Sequence, residues 1–232
     1  MDLAGRTALV TGANRGLGRH FAEQLLKRGA KVYAGARNPA SVDLPGVIPI
    51  ALDVTDPESV AAAARTATGV SLLVNNAGSY TGASVLGGAL EDIRREMDTH
   101  YYGTLLVTRA FAPQLAEHDS SAVLNVLSVL SWINTPGFGA YAAAKSAAWS
   151  LTNALRNELA AQGTQVTALH VGFMDTDMVS HVDAPKNDPA TVAELALDGV
   201  VAGAAEVLAD DLSRQVQAGL AGGVAALYSQ SA

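Results

Sequence analysis

The amino-acid sequence predicts a single-domain α/β protein: a doubly wound parallel sheet of about seven strands with helices on both faces. Three observations carry the prediction. Short β-branched apolar runs recur along the chain, helix-capable stretches separate them, and the runs are apolar throughout rather than alternating. Uninterrupted apolar strands are those covered on both faces, and parallel neighbours need a right-handed crossover between them. With 232 residues and 49% hydrophobic content, the chain can fill one continuous core but has no length for a second full domain.

In chain order, strands are expected at 7–11, 31–35, 47–52, 71–74, 122–127, 165–170 and 206–209. Helices are expected at 16–28, 57–65, 90–115, 140–161 and 191–201. No repeat, low-complexity tract or inter-domain linker interrupts them. The one long polar stretch between elements is 172–189, which contains Gly172 and Pro189 and follows the sixth strand. Loops of that length in compact domains are frequently lids over a site, and an idle surface excursion is the alternative. Its charged residues His181, Asp183 and Lys186 are read as surface groups.

Composition excludes several functions. Fifteen Lys and Arg against 22 Asp and Glu give a formal charge of −7, the wrong sign for gripping nucleic acid unspecifically. The absence of cysteine removes disulfides, thiolate zinc sites and thiol nucleophiles, and no metal site is expected. Residues 1–12 lack the basic-then-apolar pattern of a secretion signal, and no apolar run reaches membrane-spanning length. A soluble cytoplasmic protein is the expectation.

In a doubly wound sheet, ligands sit beyond the carboxyl ends of the strands. The first strand runs into Thr11-Gly12-Ala13-Asn14-Arg15-Gly16-Leu17-Gly18 and then a helix. Glycines admit positive φ and bring backbone N–H groups close to a pyrophosphate, where the helix dipole favours negative charge. A plain tight turn uses the same residues; the position between first strand and first helix favours the dinucleotide reading. After the second strand, where a carboxylate would take a ribose 2′-hydroxyl, the segment 32–38 has no acid, and Arg37 stands in its place. Arg15 can approach the same position, and guanidinium suits a 2′-phosphate, so NADP(H) is predicted over NAD(H). Asp53, followed by Val54, ends the third strand and can accept from an adenine amino group. Asn75-Asn76-Ala77-Gly78 ends the fourth with small residues that let a cofactor come close. Ordinary turn chemistry is the alternative for both, and their position at successive strand ends favours the cofactor reading.

Beyond the fifth strand, Ser128 precedes Tyr141-Ala142-Ala143-Ala144-Lys145. Residues four apart share a helix face, so the phenol and the ammonium point the same way. Bringing a tyrosine pKa from about 10 towards about 7 takes roughly 4 kcal/mol, which Lys145 and a positively charged nicotinamide can supply. A tyrosine so tuned exchanges a proton with a carbonyl or alcohol oxygen as hydride moves.

Taken together, Thr11 to Gly18, Asn75 to Gly78, Ser128, Tyr141 and Lys145, in that order and with 13 residues from serine to tyrosine, give a chain that resembles the short-chain dehydrogenase/reductase family over nearly its whole length. The resemblance implies a Rossmann-type fold, with Tyr141 as acid/base, Ser128 bonded to the reacting oxygen, and Lys145 binding nicotinamide ribose while lowering the Tyr141 pKa. It also implies that Gly172, Phe173 and Met174, with the Thr176 hydroxyl, hold the carboxamide and phosphates. Two positions depart from the family pattern. His100 stands where an Asn usually completes a proton relay; it substitutes through its backbone, titrates into the relay itself, or is a satisfied core histidine. Val171 stands where Pro usually precedes Gly172, restoring a backbone donor.

Substrate-facing candidates are Tyr80, Trp132, Phe138 and Phe173, whose apolar character suits a small or medium carbonyl compound with an apolar body. The alanines at 142, 143, 147 and 148 permit close helix approach, and the resemblance implies a homodimer or homotetramer; the 206–220 segment lacks a glycine-rich terminus, which favours the dimer. Three functions remain open: an NADP(H)-dependent carbonyl reductase or alcohol dehydrogenase, an NADP(H)-sensing binding protein with an altered relay, and a sugar-nucleotide epimerase or dehydratase, disfavoured by the lack of room for a nucleotide-sugar domain.

Overall fold

A computed structural model describes residues 1–180 and 182–228. Seven strands form one sheet: β1 (Thr7–Thr11), β2 (Lys31–Ala36), β3 (Ile48–Ala51), β4 (Leu72–Asn75), β5 (Ser121–Val126), β6 (Thr164–His170) and β7 (Glu206–Leu208). They lie in the order β3-β2-β1-β4-β5-β6-β7, and every neighbouring pair is parallel. The direction in which successive strands are added to the sheet reverses between β1 and β4, which opens a crevice beyond their carboxyl ends.

Alternation along each strand builds two cores. Ala8 and Val10 of β1, with Val32, Val74 and Leu124, face α1 (Gly16–Lys27) and α6 (Pro189–Ala202). Leu9, with Leu73, Val123 and Val166, faces the other way, onto α2 (Pro57–Thr66), α4 (Thr104–Ala116) and α5 (Gly139–Glu158). Phe21 and Phe111, one from each layer, are fully buried. Between the layers a short polar chain is satisfied internally: Asn75 donates to Thr108 and Asn125, and Asn125 donates to Thr152.

Two regions differ from the sequence reading. The helix expected over 90–115 is α3 (Leu90–Met97) and α4, joined by a π-helical turn at Asp98–Gly103. A Cβ at Gly103 would lie 2.9 Å from a Val54 methyl, so the chain passes unusually close to the end of β3 here, and the wide turn swings His100 inward. Past β7, two unanticipated helices follow, α7 (Asp211–Gly219) and α8 (Gly223–Leu227). Asp210 caps α7 by accepting from the Ser213 amide at 2.8 Å. The alanine face of α5 is also redistributed. Ala142 and Ala148 are core residues, packed on Leu130 and Leu127, which leaves Ala143 and the half-buried Ala147 facing outward. Among the described residues no helix is long and apolar enough to cross a membrane.

Candidate active site

A cleft of about 680 Å³ runs across the carboxyl ends of the central strands. Its floor is the glycine loop. Gly12 and Gly16 have φ of +65° and +51°, which side chains other than glycine resist. Gly18 has ordinary φ but no space: a Cβ there would lie 2.2 Å from the Gly12 carbonyl oxygen. The loop is laced to β4. Thr11 Oγ1 accepts from the Asn76 and Ala77 amides, and the Asn76 amide group donates back to the Thr11 and Gly12 carbonyls. Asn14, Arg15, Leu17, Asn76, Ala77 and Gly78 all border the cleft. This is a backbone cradle that any side chain at Gly18 would fill, and it fits a dinucleotide pyrophosphate.

At the β2 and β3 ends, Arg37, Asp53 and Val54 line the same cleft. Arg37 is exposed and forms no ion pair among the described residues. Arg15 sits 3.6 Å from Asp177, both exposed, a pairing that solvent weakens and that leaves the guanidinium available. Asp53 spends Oδ1 on the Thr55 amide and hydroxyl, leaving Oδ2 for another donor. Arg95 of α3 also borders the cleft, a third cation that the reading of strand ends had no reason to select.

The other end gathers the candidate catalytic side chains. Ser128, Tyr141, Lys145 and His100 meet there. Ser128 caps a short 3-10 turn after β5, accepting from the Leu130 amide. Tyr141 and Lys145 lie one turn apart on α5, and Lys145 Nζ donates to the Val126 carbonyl at 2.8 Å. Burial brings the Lys145 pKa down to about 8, with Glu96 opposing. The Tyr141 phenol moves the other way. Burial and the Glu96 carboxylate raise it above the ordinary tyrosine value, and a hydrogen bond with Ser128 offsets this only in part. The ammonium lies 5.6 Å from the ring centroid. The expectation of a phenol made acidic rests on Lys145 and a positively charged nicotinamide together; in the protein by itself, burial and Glu96 set the direction.

His100 is neutral. Burial and the neighbouring Lys145 lower its pKa. Its Nε2 lies 2.9 Å from the Ser79 carbonyl and 3.3 Å from Glu96 Oε2, two acceptors that call for Nε2–H, against one weaker approach by the Ser79 amide at 3.3 Å. Glu96 itself is wholly buried on α3. Burial alone would raise it, but His100 and the Thr81 donors hold its carboxyl below the ordinary range, and the Ser79 hydroxyl also donates to it at 2.9 Å. Sequence reasoning missed Glu96; its only signal was a charged residue four positions before His100 on one helical face.

The sixth strand ends in Val171 and Gly172, followed by Met174 and Thr176, all on the cleft wall. Asp210 anchors this corner. Its Oδ2 accepts from the Gly172 amide and the Asn187 side chain, both at 2.7 Å. Asn187 then pairs with 173–175 as a short parallel bridge, tying both ends of the predicted lid together. Phe173 departs from expectation: it does not line the cleft, its carbonyl is taken by Asn187, and its ring rests against Phe138. Trp132 is likewise turned away, stacked on the buried His170 at 3.8 Å. Tyr80 and Phe138 stack on each other beside Tyr141 rather than on the cleft wall. Asp183 is exposed as expected, Lys186 is half-buried, and His181 lies outside the described residues.

Residues 6–187 match the family model for short chain dehydrogenases. The chain belongs to the short-chain dehydrogenase/reductase family. This short-chain dehydrogenase is 32% identical over 206 residues to a 3-oxoacyl-[acyl-carrier-protein] reductase of Vibrio cholerae, covering 84% of this chain and 83% of the relative. A short chain dehydrogenase from Burkholderia cenocepacia, solved in complex with NADP, superimposes with a TM-score of 0.94 at 38% identity, over 99% of this chain and 98% of that one. A 3-ketoacyl-(acyl-carrier-protein) reductase from Brucella melitensis, complexed with NADH, gives 0.82 at 26% identity, over 89% and 96%. This short-chain dehydrogenase is an oxidoreductase with a nicotinamide cofactor.

Proposed function

We propose that the protein is an NADP(H)-dependent carbonyl reductase or alcohol dehydrogenase acting on a small carbonyl or alcohol substrate. The observation that supports it best is the placement of an unpaired Arg37 and a weakly paired Arg15 at one end of a cleft whose other end holds Ser128, Tyr141 and Lys145. The cations hold a 2′-phosphate, the glycine loop holds the pyrophosphate, and Asp53 accepts from adenine. When bound, the nicotinamide supplies or takes the hydride. Ser128 and Tyr141 hold the reacting oxygen, Tyr141 donates its proton there, and the Lys145 ammonium stabilises the phenolate left behind.

Residues 172–189 act as the lid, hinged where Asp210 and Asn187 tie its ends. The protein assembles as a homodimer or homotetramer, with the outward part of α5 around Ala143 at the contact. The test is reductant consumption against a panel of aldehydes, ketones and 3-oxoacyl thioesters, the last included because of the Vibrio relative. NADPH should be used in clear preference to NADH, and Arg37→Asp should weaken NADPH binding by roughly 10- to 100-fold while leaving NADH nearly unaffected. Equal losses for both refute the 2′-phosphate assignment. The NADP(H)-sensing alternative predicts tight NADPH binding with no turnover of any panel member.

A further inference from the structure

Three aromatic side chains from three separate loops gather beside the phenol. Tyr80 follows β4, Phe138 precedes α5, and Phe173 follows β6. Tyr80 stacks on Phe138 with centroids 5.1 Å apart and 24° between planes; Phe138 meets Phe173 at 5.7 Å; and Tyr80 stands edge-on to Tyr141 at 6.0 Å. These are not core aromatics. Phe21 and Phe111 are fully buried, whereas all three here keep part of their surface. Three half-buried rings from three loops thus form a wall beside the proton donor, adjoining the cleft rather than lining it.

The wall is braced from beneath. Glu96, with no exposed surface, accepts from the Ser79 hydroxyl at 2.9 Å and from the Thr81 amide, and His100 Nε2–H reaches the Ser79 carbonyl. Residues on both sides of Tyr80 are thus pinned by one buried pair. A carboxylate is costly to bury, and here it is offset by three donors, two of them from the segment that carries Tyr80.

We propose that this Glu96-braced wall selects a planar, aryl-bearing carbonyl compound, seating its ring against Tyr80 and Phe138 and its oxygen at Tyr141 and Ser128. This rests on the reductase reading above and names its substrate class. Ring-on-ring contact favours an aryl group over a saturated ring of equal size, because offset and edge-to-face geometries reward a π-face. Glu96 is a positioning residue that acts through Ser79 and Thr81.

The experiment compares acetophenone with cyclohexyl methyl ketone, matched in size and reacting group, for wild type, Tyr80→Leu and Glu96→Gln. NADPH oxidation is read alongside calorimetric binding of 1-phenylethanol and 1-cyclohexylethanol to the NADP⁺-loaded protein. Wild type should favour the aryl member about 10-fold in kcat/KM and in affinity. Tyr80→Leu should bring that ratio close to one, and Glu96→Gln should raise KM for acetophenone while leaving NADPH affinity unchanged. Turnover without aryl preference, or failure of either alcohol to bind, overturns the proposal and leaves the reductase reading intact. So does a Glu96→Gln variant that loses activity on both ketones equally, the signature of a merely structural role. Binding that ranks as expected with no turnover of any ketone supports the wall and removes the reductase reading instead.

Discussion

Two histidines, His100 and His170, are buried, and burial lowers the pKa of each. Burial takes the His170 pKa down to about 4, with the Lys145 and Arg156 charges helping and the Ser128 carbonyl opposing. A histidine whose folded pKa lies below its unfolded value of about 6.5 stabilises the fold least in acid: between those two values the unfolded chain binds the extra proton. Acidification from pH 6.5 to 4 should therefore cost up to about 3 kcal/mol through this residue. Denaturant melts of wild type and His170→Phe across that range check it, the variant showing the shallower loss; parallel slopes would contradict it. At this scale the sequence was informative where chemistry is local. Tyr141, Lys145 and Ser128 stand at readable spacings, and the cleft brings them together. Glu96 and Asp210 were not readable, because their significance lies in contacts to Thr81 and Gly172, 15 and 38 residues away.

Among the elements, the β1–α1 turn is the least forgiving. A methyl at Gly18 meets the Gly12 carbonyl at 2.2 Å and Asn76 Nδ2 at 2.5 Å, and the contacted backbone cannot swing aside. Gly18→Ala should cost about 1–3 kcal/mol of stability and weaken NADPH binding at least about 10-fold; thermal melts and nucleotide titration read both, and unchanged affinity would remove the cradle from the account. At the hinge of the proposed lid, Asp210→Ala frees the Gly172 amide and the Asn187 side chain and uncaps α7. It should cost about 1–2 kcal/mol and raise KM more than NADPH Kd, a split that steady-state kinetics measures. All seven strands were legible because continuous apolar runs leave few alternatives. The π-helical turn was not, because the 90–115 segment keeps helix-forming residues throughout and only the close approach to Val54 reveals the extra width. Helices α7 and α8 were missed because their surfaces are largely exposed, leaving no buried stripe to read.

For the molecule as a whole, the site is bought with stability. Lys145, 5% exposed, has its pKa brought down to about 8 from 10.5. The unfolded chain binds this proton more readily between those values, so the penalty is complete below about pH 8 and fades as pH rises towards 10.5. Lys145→Met should consequently be more stable than wild type at pH 7, by up to about 3 kcal/mol less the lost bond to the Val126 carbonyl, with the gap closing in alkali. Denaturation at pH 7 and pH 10 tests the sign. The composition spoke against non-specific nucleic-acid binding and left no thiol for chemistry, and the strand pattern pointed to the cleft; the coupling of Lys145 burial to global stability becomes visible only with the core assembled around it.

The central claim is that a phenol retaining its proton in this cleft delivers it to a substrate oxygen. Single-turnover oxidation of bound NADPH by a ketone, followed in wild type and Tyr141→Phe after nucleotide affinity has been matched, tests it most directly. The account predicts a rate loss of about 100- to 10,000-fold with NADPH binding preserved. A variant that oxidises NADPH at the wild-type rate would contradict it.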